Sequence, residues 1–114
     1  MKFLMMLAEP TQERPLPNGF GERARAWAST YIASGQRRYG TKLRGSSDAR
    51  TIRVRNGAEV VAAEPFSVGA TERLAGFDIL ECDSLETAVA IAAEPPLVEV
   101  GAIEIRELWE DWQP

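Results

Sequence analysis

Residues 63–83, AEPFSVGATERLAGFDILECD, join the two halves of the chain, and their reading decides the fold. Phe77, Ile79 and Glu81 alternate with Asp78, Leu80 and Cys82, the period-two pattern of a strand with two unlike faces. Gly76, at the head of that run, lets the strand start close against another backbone. Upstream, Pro65 fixes its own φ and biases Glu64 toward extended geometry, so Glu64-Pro65-Phe66 reads as a rigid corner with an aromatic anchor. Downstream, Asp83 reads as a helix N-cap, with Glu86 completing a D-x-x-E start.

Working back from the corner, Asn56-Gly57 is a two-residue hairpin signal between Thr51–Arg55 and residues 59–62. Residues 36–44 read as a weak or edge strand, because Arg37, Arg38, Lys42 and Arg44 leave few positions to bury. Before them, Phe20, Ala24, Trp27 and Tyr31 recur at one helical face, with Asn18 placed to cap and Gly35 placed to end the helix. Three prolines make residues 8–19 a loop. The opening residues 2–7 are apolar on both faces, with Phe3, Met5 and Leu7 on one and Leu4 and Met6 on the other. Such a strand belongs inside a sheet covered on both sides.

Forward from the corner, Leu85, Ala88, Val89 and Ala92 form the stripe of a second helix ended by Pro95-Pro96. A last strand over residues 99–108 points Ile103 and Ile105 one way and Glu104, Arg106 and Leu108 the other. The order is β, α, β, an inserted hairpin, β, α, β. That is an α+β, ferredoxin-like βαββαβ plan in one domain spanning residues 1–114. Helices on one face leave the other to a second copy of the chain, so a homodimer is expected.

The same residues resemble the YCII-related, or DGPF-domain, family of small bacterial proteins. The family's Asp-Gly-Pro-Phe corner falls on Ala63, Glu64, Pro65 and Phe66, and its Leu-x-Gly-Phe on Leu74, Ala75, Gly76 and Phe77. The opening MKFLMML, the TIRVRNG hairpin, and DSLETAVAIAAEPP followed by GAIEIREL are similar to the family's first strand, central hairpin, and last helix and strand. The resemblance implies a ferredoxin-like domain that pairs into a dimeric α/β barrel. The corner keeps Pro and Phe but not Asp and Gly. A His-Asp pair attributed to some relatives has no counterpart, because the chain contains no histidine.

A chain of 114 residues, 45% hydrophobic and 26% charged, has the balance of one ordinary soluble globule. The apolar run at the start meets Glu9-Pro10 and is too short for a signal h-region or a membrane span, so a cytoplasmic location is expected. Cys82 is the single cysteine, which excludes an internal disulfide and fits packing in a reducing compartment. The net charge of −4 splits into +7 over residues 1–57 and −11 over residues 58–114. Such asymmetry fits oppositely charged elements side by side, or else a basic patch for an anion.

The chemistry is bounded mostly by exclusion. Without histidine, and with one cysteine, no zinc site and no Ser-His-Asp or Cys-His set is expected. No GxGxxG or Walker loop appears, so no cofactor is expected. The basic run from Arg37 to Arg55 raises nucleic-acid binding, but base-stacking strand aromatics are missing and the acidic second half would repel phosphates. Strand parity then offers one constellation. If Ile52, Val54, Phe77, Ile79, Ile103 and Ile105 face the helices, Arg53, Arg55, Asp78, Glu104 and Arg106 project from the open face. There they either pair across strands or line a dimer cleft for a small, anionic organic molecule.

Phe66 and Pro65 would shape that cleft, with Phe66 as a core ring. Asp78 is the first choice for an acid or base, followed by Glu64 beside the lost family aspartate; Arg53 and Arg106 would orient the ligand. The function expected is therefore binding, or cofactor-independent lyase, isomerase or cyclase chemistry. A nucleic-acid-binding or accessory protein is the remaining alternative.

Overall fold

The computed structural model describes residues 1–67 and 71–114; residues 68–70, within the stretch quoted above, lie outside the described residues. The elements in chain order are β1 (Lys2–Pro10), α1 (Phe20–Ala33), β2 (Arg37–Lys42), β3 (Thr51–Arg55), β4 (Ala58–Ala62), β5 (Glu72–Glu81), α2 (Leu85–Ala92) and β6 (Ala102–Glu107). Short 3₁₀ turns lie at Ser46–Asp48 and Pro96–Glu99. One sheet has the order β2-β5-β1-β6 with every pair antiparallel, while β3 and β4 pair only with each other. With that hairpin set aside, the four strands and two helices have a ferredoxin-like order.

The central strand β1 is paired on both sides, to β5 and to β6, and its alternation sets the two faces of the sheet. Phe3 and Met5 are fully buried on the helix face, with Leu80 opposite Phe3 and Ile105 opposite Met5. Leu4 and Met6 lie on the other face and are only half-buried. Burial of side chains of this size contributes about 1.5–3 kcal/mol each, so the helix face is the stabilising one.

Helix α1 buries Trp27, whose indole N–H donates to the Ile91 carbonyl at 2.9 Å and ties α1 to α2. The Tyr31 hydroxyl donates to Glu94, a bond that holds the phenol above its ordinary pKa, and Arg23 pairs with Glu99. The buried stripe of α2 is Ala88, Ile91 and Ala92; Leu85 and Val89, expected inside, are about half exposed. Eight residues give α2 little more than two turns, and its docking against Trp27 selects the Ile91 side.

Both expected caps shift by one residue. Ser84, not Asp83, caps α2, its hydroxyl accepting from the Thr87 amide at 3.1 Å. Gly19, not Asn18, occupies the α1 cap in a left-handed conformation and without a side-chain bond. The hairpin turn is as its residues require: Asn56 and Gly57 both have positive φ, at 53° and 76°. Gly76 sits where an added Cβ would come within 2.8 Å of the Thr41 carbonyl, the close strand approach expected of it.

The β3–β4 hairpin spreads the molecule sideways. The Cα envelope measures 48 × 41 × 19 Å and the radius of gyration is 16.2 Å, against about 13 Å for a compact chain of this length. Among the described residues, no helix is long and apolar enough to cross a membrane.

Candidate functional site

The charged residue at the centre of β5 lies on the opposite side of the sheet from the one strand parity predicts. Asp78 pairs with Met5 and is flanked on its strand by Leu80, so it faces the helices; Phe77 and Ile79 take the open face. Parity alone turns the more apolar set of β5, Phe77 and Ile79, toward the core. It fails because both faces of this sheet are apolar, and the side that receives the helices is fixed by register with Phe3 and Met5. For β6 the same argument holds: Ile103 and Ile105 stand opposite Leu7 and Met5, and Glu104 and Arg106 stand on the open face opposite Met6 and Leu4.

Asp78 is the one charged residue among the buried described positions, with 3% of its surface exposed. Its partner is Arg37 at the start of β2, whose Nε donates to Asp78 Oδ1 at 2.6 Å. Asp78 Oδ2 has no hydrogen-bond partner among the described residues. Burial pushes the Asp78 carboxyl above the ordinary carboxylate range, and the hydrogen bond and charge of Arg37 oppose that shift without cancelling it.

Room for the pair is made by Gly40, which stands directly across from Asp78 on β2. A Cβ at position 40 would lie 1.7 Å from Asp78 Oδ1 and 2.2 Å from an Arg37 nitrogen, so any side chain there forces the pair or the strands to shift. The register of β2 shifts between Arg37 and Tyr39, which brings Arg37 round to the same face.

The pair opens into a cavity of about 360 Å³ between α1, the Pro95–Leu97 turn and the sheet. Its walls are mainly apolar, with Met5 and Leu7 below, Phe20 and Trp27 above, and Pro96 and Leu97 at one side. Lys42 and Glu9 also line it, with the Asp78–Arg37 pair. Glu9 is held by Arg73 at 3.0 Å, whereas Lys42 has no ion-pair partner among the described residues. A desolvated carboxyl, a fixed guanidinium and an unpartnered ammonium therefore face one apolar hollow. Such a set can bind a small organic acid and move a proton.

The other residues named from sequence do not join this site. Arg53 and Arg55 sit on the separate hairpin, exposed, and Glu104 and Arg106 pair with each other at 2.5 Å on the open face. Glu64 is exposed, and its backbone carbonyl accepts from the Thr51 hydroxyl at 2.6 Å, closing the base of the hairpin. Phe66 is 80% exposed rather than a core ring, because the corner after β4 leads away from the helix-covered core. Cys82 is buried, its thiol 3.5 Å from the Ser84 carbonyl, as a packing residue would be.

Arg37 and Gly40 do not stand out in the sequence, where RRYG reads as edge-strand charge and as the start of a basic run. The usable signal was a glycine inside a strand, which marks a close approach by a neighbouring group. Among the described residues, no group of three or more histidine, cysteine, aspartate or glutamate residues could hold a metal ion.

Comparison with known proteins adds one match. The family model described as the YCII-related domain covers residues 1–112. No curated protein matches the chain.

Proposed function

The chain belongs to the YCII-related family, and from that premise we propose that it is a cytoplasmic homodimer of the dimeric α/β-barrel type. In this reading the β3–β4 hairpin is an insertion into the ferredoxin-like plan, and each protomer binds a small organic acid in the cavity between α1 and the sheet. The observation that carries the reading is a carboxyl of raised pKa, Asp78, seated with Arg37 in an otherwise apolar hollow. The ligand's apolar body packs against Phe20, Trp27 and Leu97, and its acid group meets Lys42 and Arg37. Asp78 then acts as the acid or base of a cofactor-independent lyase, isomerase or cyclase reaction, its open Oδ2 toward the ligand.

The dimer is supported by the open face. Leu4, Met6, Phe77 and Ile79 are half-covered there, and the Tyr39 ring, 55% exposed, lies 5.9 Å from that of Phe77. A continuous apolar sheet face of this kind is suited to a second copy.

Native mass spectrometry of freshly purified protein, followed by thermal-shift screening with small keto and hydroxy acids, tests both parts. The expected result is a two-subunit species that gains thermal stability with an acid, the gain being lost in Lys42→Ala. Once turnover of an acid is found, Asp78→Asn should abolish it while Glu64→Gln leaves it intact. A folded Asp78→Asn variant with full turnover defeats the acid–base assignment.

A further inference from the structure

We propose that the ligand carries a second anionic group, a carboxylate or a phosphate, and that this group sits in a smaller hollow beside the cavity, held by Arg44. This rests on the small-acid reading proposed above and narrows its ligand to a dianion. The second hollow measures about 180 Å³ and lies between the end of β2, the Ser46–Asp48 turn and the first half of β5. Glu9, Lys42 and Ala75 line it and the larger cavity alike, so the two adjoin along those residues.

Strand pairing explains why charge collects there. Gly40 stands opposite Asp78 on the helix face, and Lys42, two residues on, stands opposite Gly76. The chain follows β5 a little further, the Leu43 amide donating to the Ala75 carbonyl at 2.8 Å. Alternation carries Arg44 to the same side as Lys42, and both line the hollow. Arg73 stands opposite Glu9 and donates to it at 3.0 Å.

Four cations and two carboxylates line the two hollows: Arg37, Lys42, Arg44 and Arg73 against Asp78 and Glu9. Arg37 is taken by Asp78 and Arg73 by Glu9, which leaves Lys42 and Arg44 without a carboxylate among the described residues. Ser46, half-buried on the wall of the second hollow, has a hydroxyl with no hydrogen-bond partner among the described residues. One acid group at Lys42 would leave Arg44 uncompensated, whereas a dianion compensates both. At the ordinary rise of a strand the two residues are about 7 Å apart, within reach of the two acid groups of a glutarate skeleton. An arginine fork takes a carboxylate or a phosphate through two parallel hydrogen bonds, so Arg44 suits either, while the apolar body of the ligand stays in the larger cavity.

Isothermal titration calorimetry with three probes of one skeleton tests this: 2-phenylpentanoate, 2-phenylglutarate and the phosphonate counterpart 2-phenyl-4-phosphonobutanoate. The two dianions differ from the monoacid only in the group at the far end. At least one of them should bind about tenfold or more tightly than 2-phenylpentanoate, and the tighter of the two identifies that group as carboxylate or phosphate. Arg44→Gln should bring the ratio close to one. Arg38→Gln removes a charge from the same strand outside both hollows and should leave the ratio as it is. Both arginines are exposed, so folding is preserved, which circular dichroism checks. Dianions that bind no more tightly than the monoacid, or a ratio that falls equally in both variants, overturn the second subsite and leave the small-acid reading standing. If none of the three binds, the small-acid reading fails and the second subsite with it.

Discussion

The two faces of the four-stranded sheet invert the usual assignment of polarity. On the helix side, beside fully buried Phe3, Met5 and Leu80, lies a carboxylate with an arginine. On the open side, apolar Leu4, Met6, Phe77 and Ile79 stay partly exposed, with the Glu104–Arg106 pair beside them and Lys2 across from Glu81 at one end. Charge placed inside and apolar surface left outside each carry a cost, and in the function proposed above they separate two tasks. The inner face has the means to handle a ligand, and the outer face has the composition of an interface.

The comparison is tested most severely on the inner face. Phe3→Ala should destabilise the fold by about 4 kcal/mol in chemical denaturation, since it removes a fully buried ring. Its neighbour on the open face, Leu4→Ala, should cost clearly less in the dissociated protomer. Equal losses would erase the distinction between faces.

Gly40→Ala comes next, at about 3 kcal/mol, because the new methyl group occupies the position of Asp78 Oδ1 and breaks a buried pair. A crystal structure of that variant with the Asp78–Arg37 contact intact would show that the strands yield instead.

Arg37→Leu should cost about as much at neutral pH and less in acid. Asp78 has a folded pKa above its unfolded value, so the native state holds the proton more tightly, and stability from this group falls as pH rises through the interval between the two values. Below that interval Asp78 is neutral and needs its guanidinium less, so the penalty should shrink. Denaturation midpoints that differ between wild type and variant by the same amount at every pH would remove the raised pKa from the account.

The smallest effect belongs to the corner. Phe66→Ala should change stability by less than about 0.5 kcal/mol, because an 80% exposed ring buries little. A loss of several kcal/mol would place Phe66 in contact with another surface.

Much of the architecture was legible because it rests on local patterns. The double-faced apolarity of β1, the Asn56-Gly57 turn and the aromatic stripe on α1 each follow from spacing alone, and each is found where expected. The candidate site was legible only in Asp78. Its partner required knowing that β2 pairs with β5 so as to set Gly40 against Asp78, and that a register shift turns Arg37 inward. Those are relations between strands about forty residues apart in the chain, and no local period encodes them. The parity error on β5 has the same origin: a strand apolar on one side and mixed on the other does not declare which side the helices will cover.

Trp27 gives the cavity its own optical reporter. Of the three tryptophans it is the buried one, walling the cavity with its indole N–H held by Ile91, while Trp109 and Trp112 stand in solvent. Its fluorescence should lie to the blue and resist iodide, whereas the emission of the tail tryptophans lies to the red and is quenched. An occupant of the hollow changes the blue component alone, so the unmodified protein can report binding without a label.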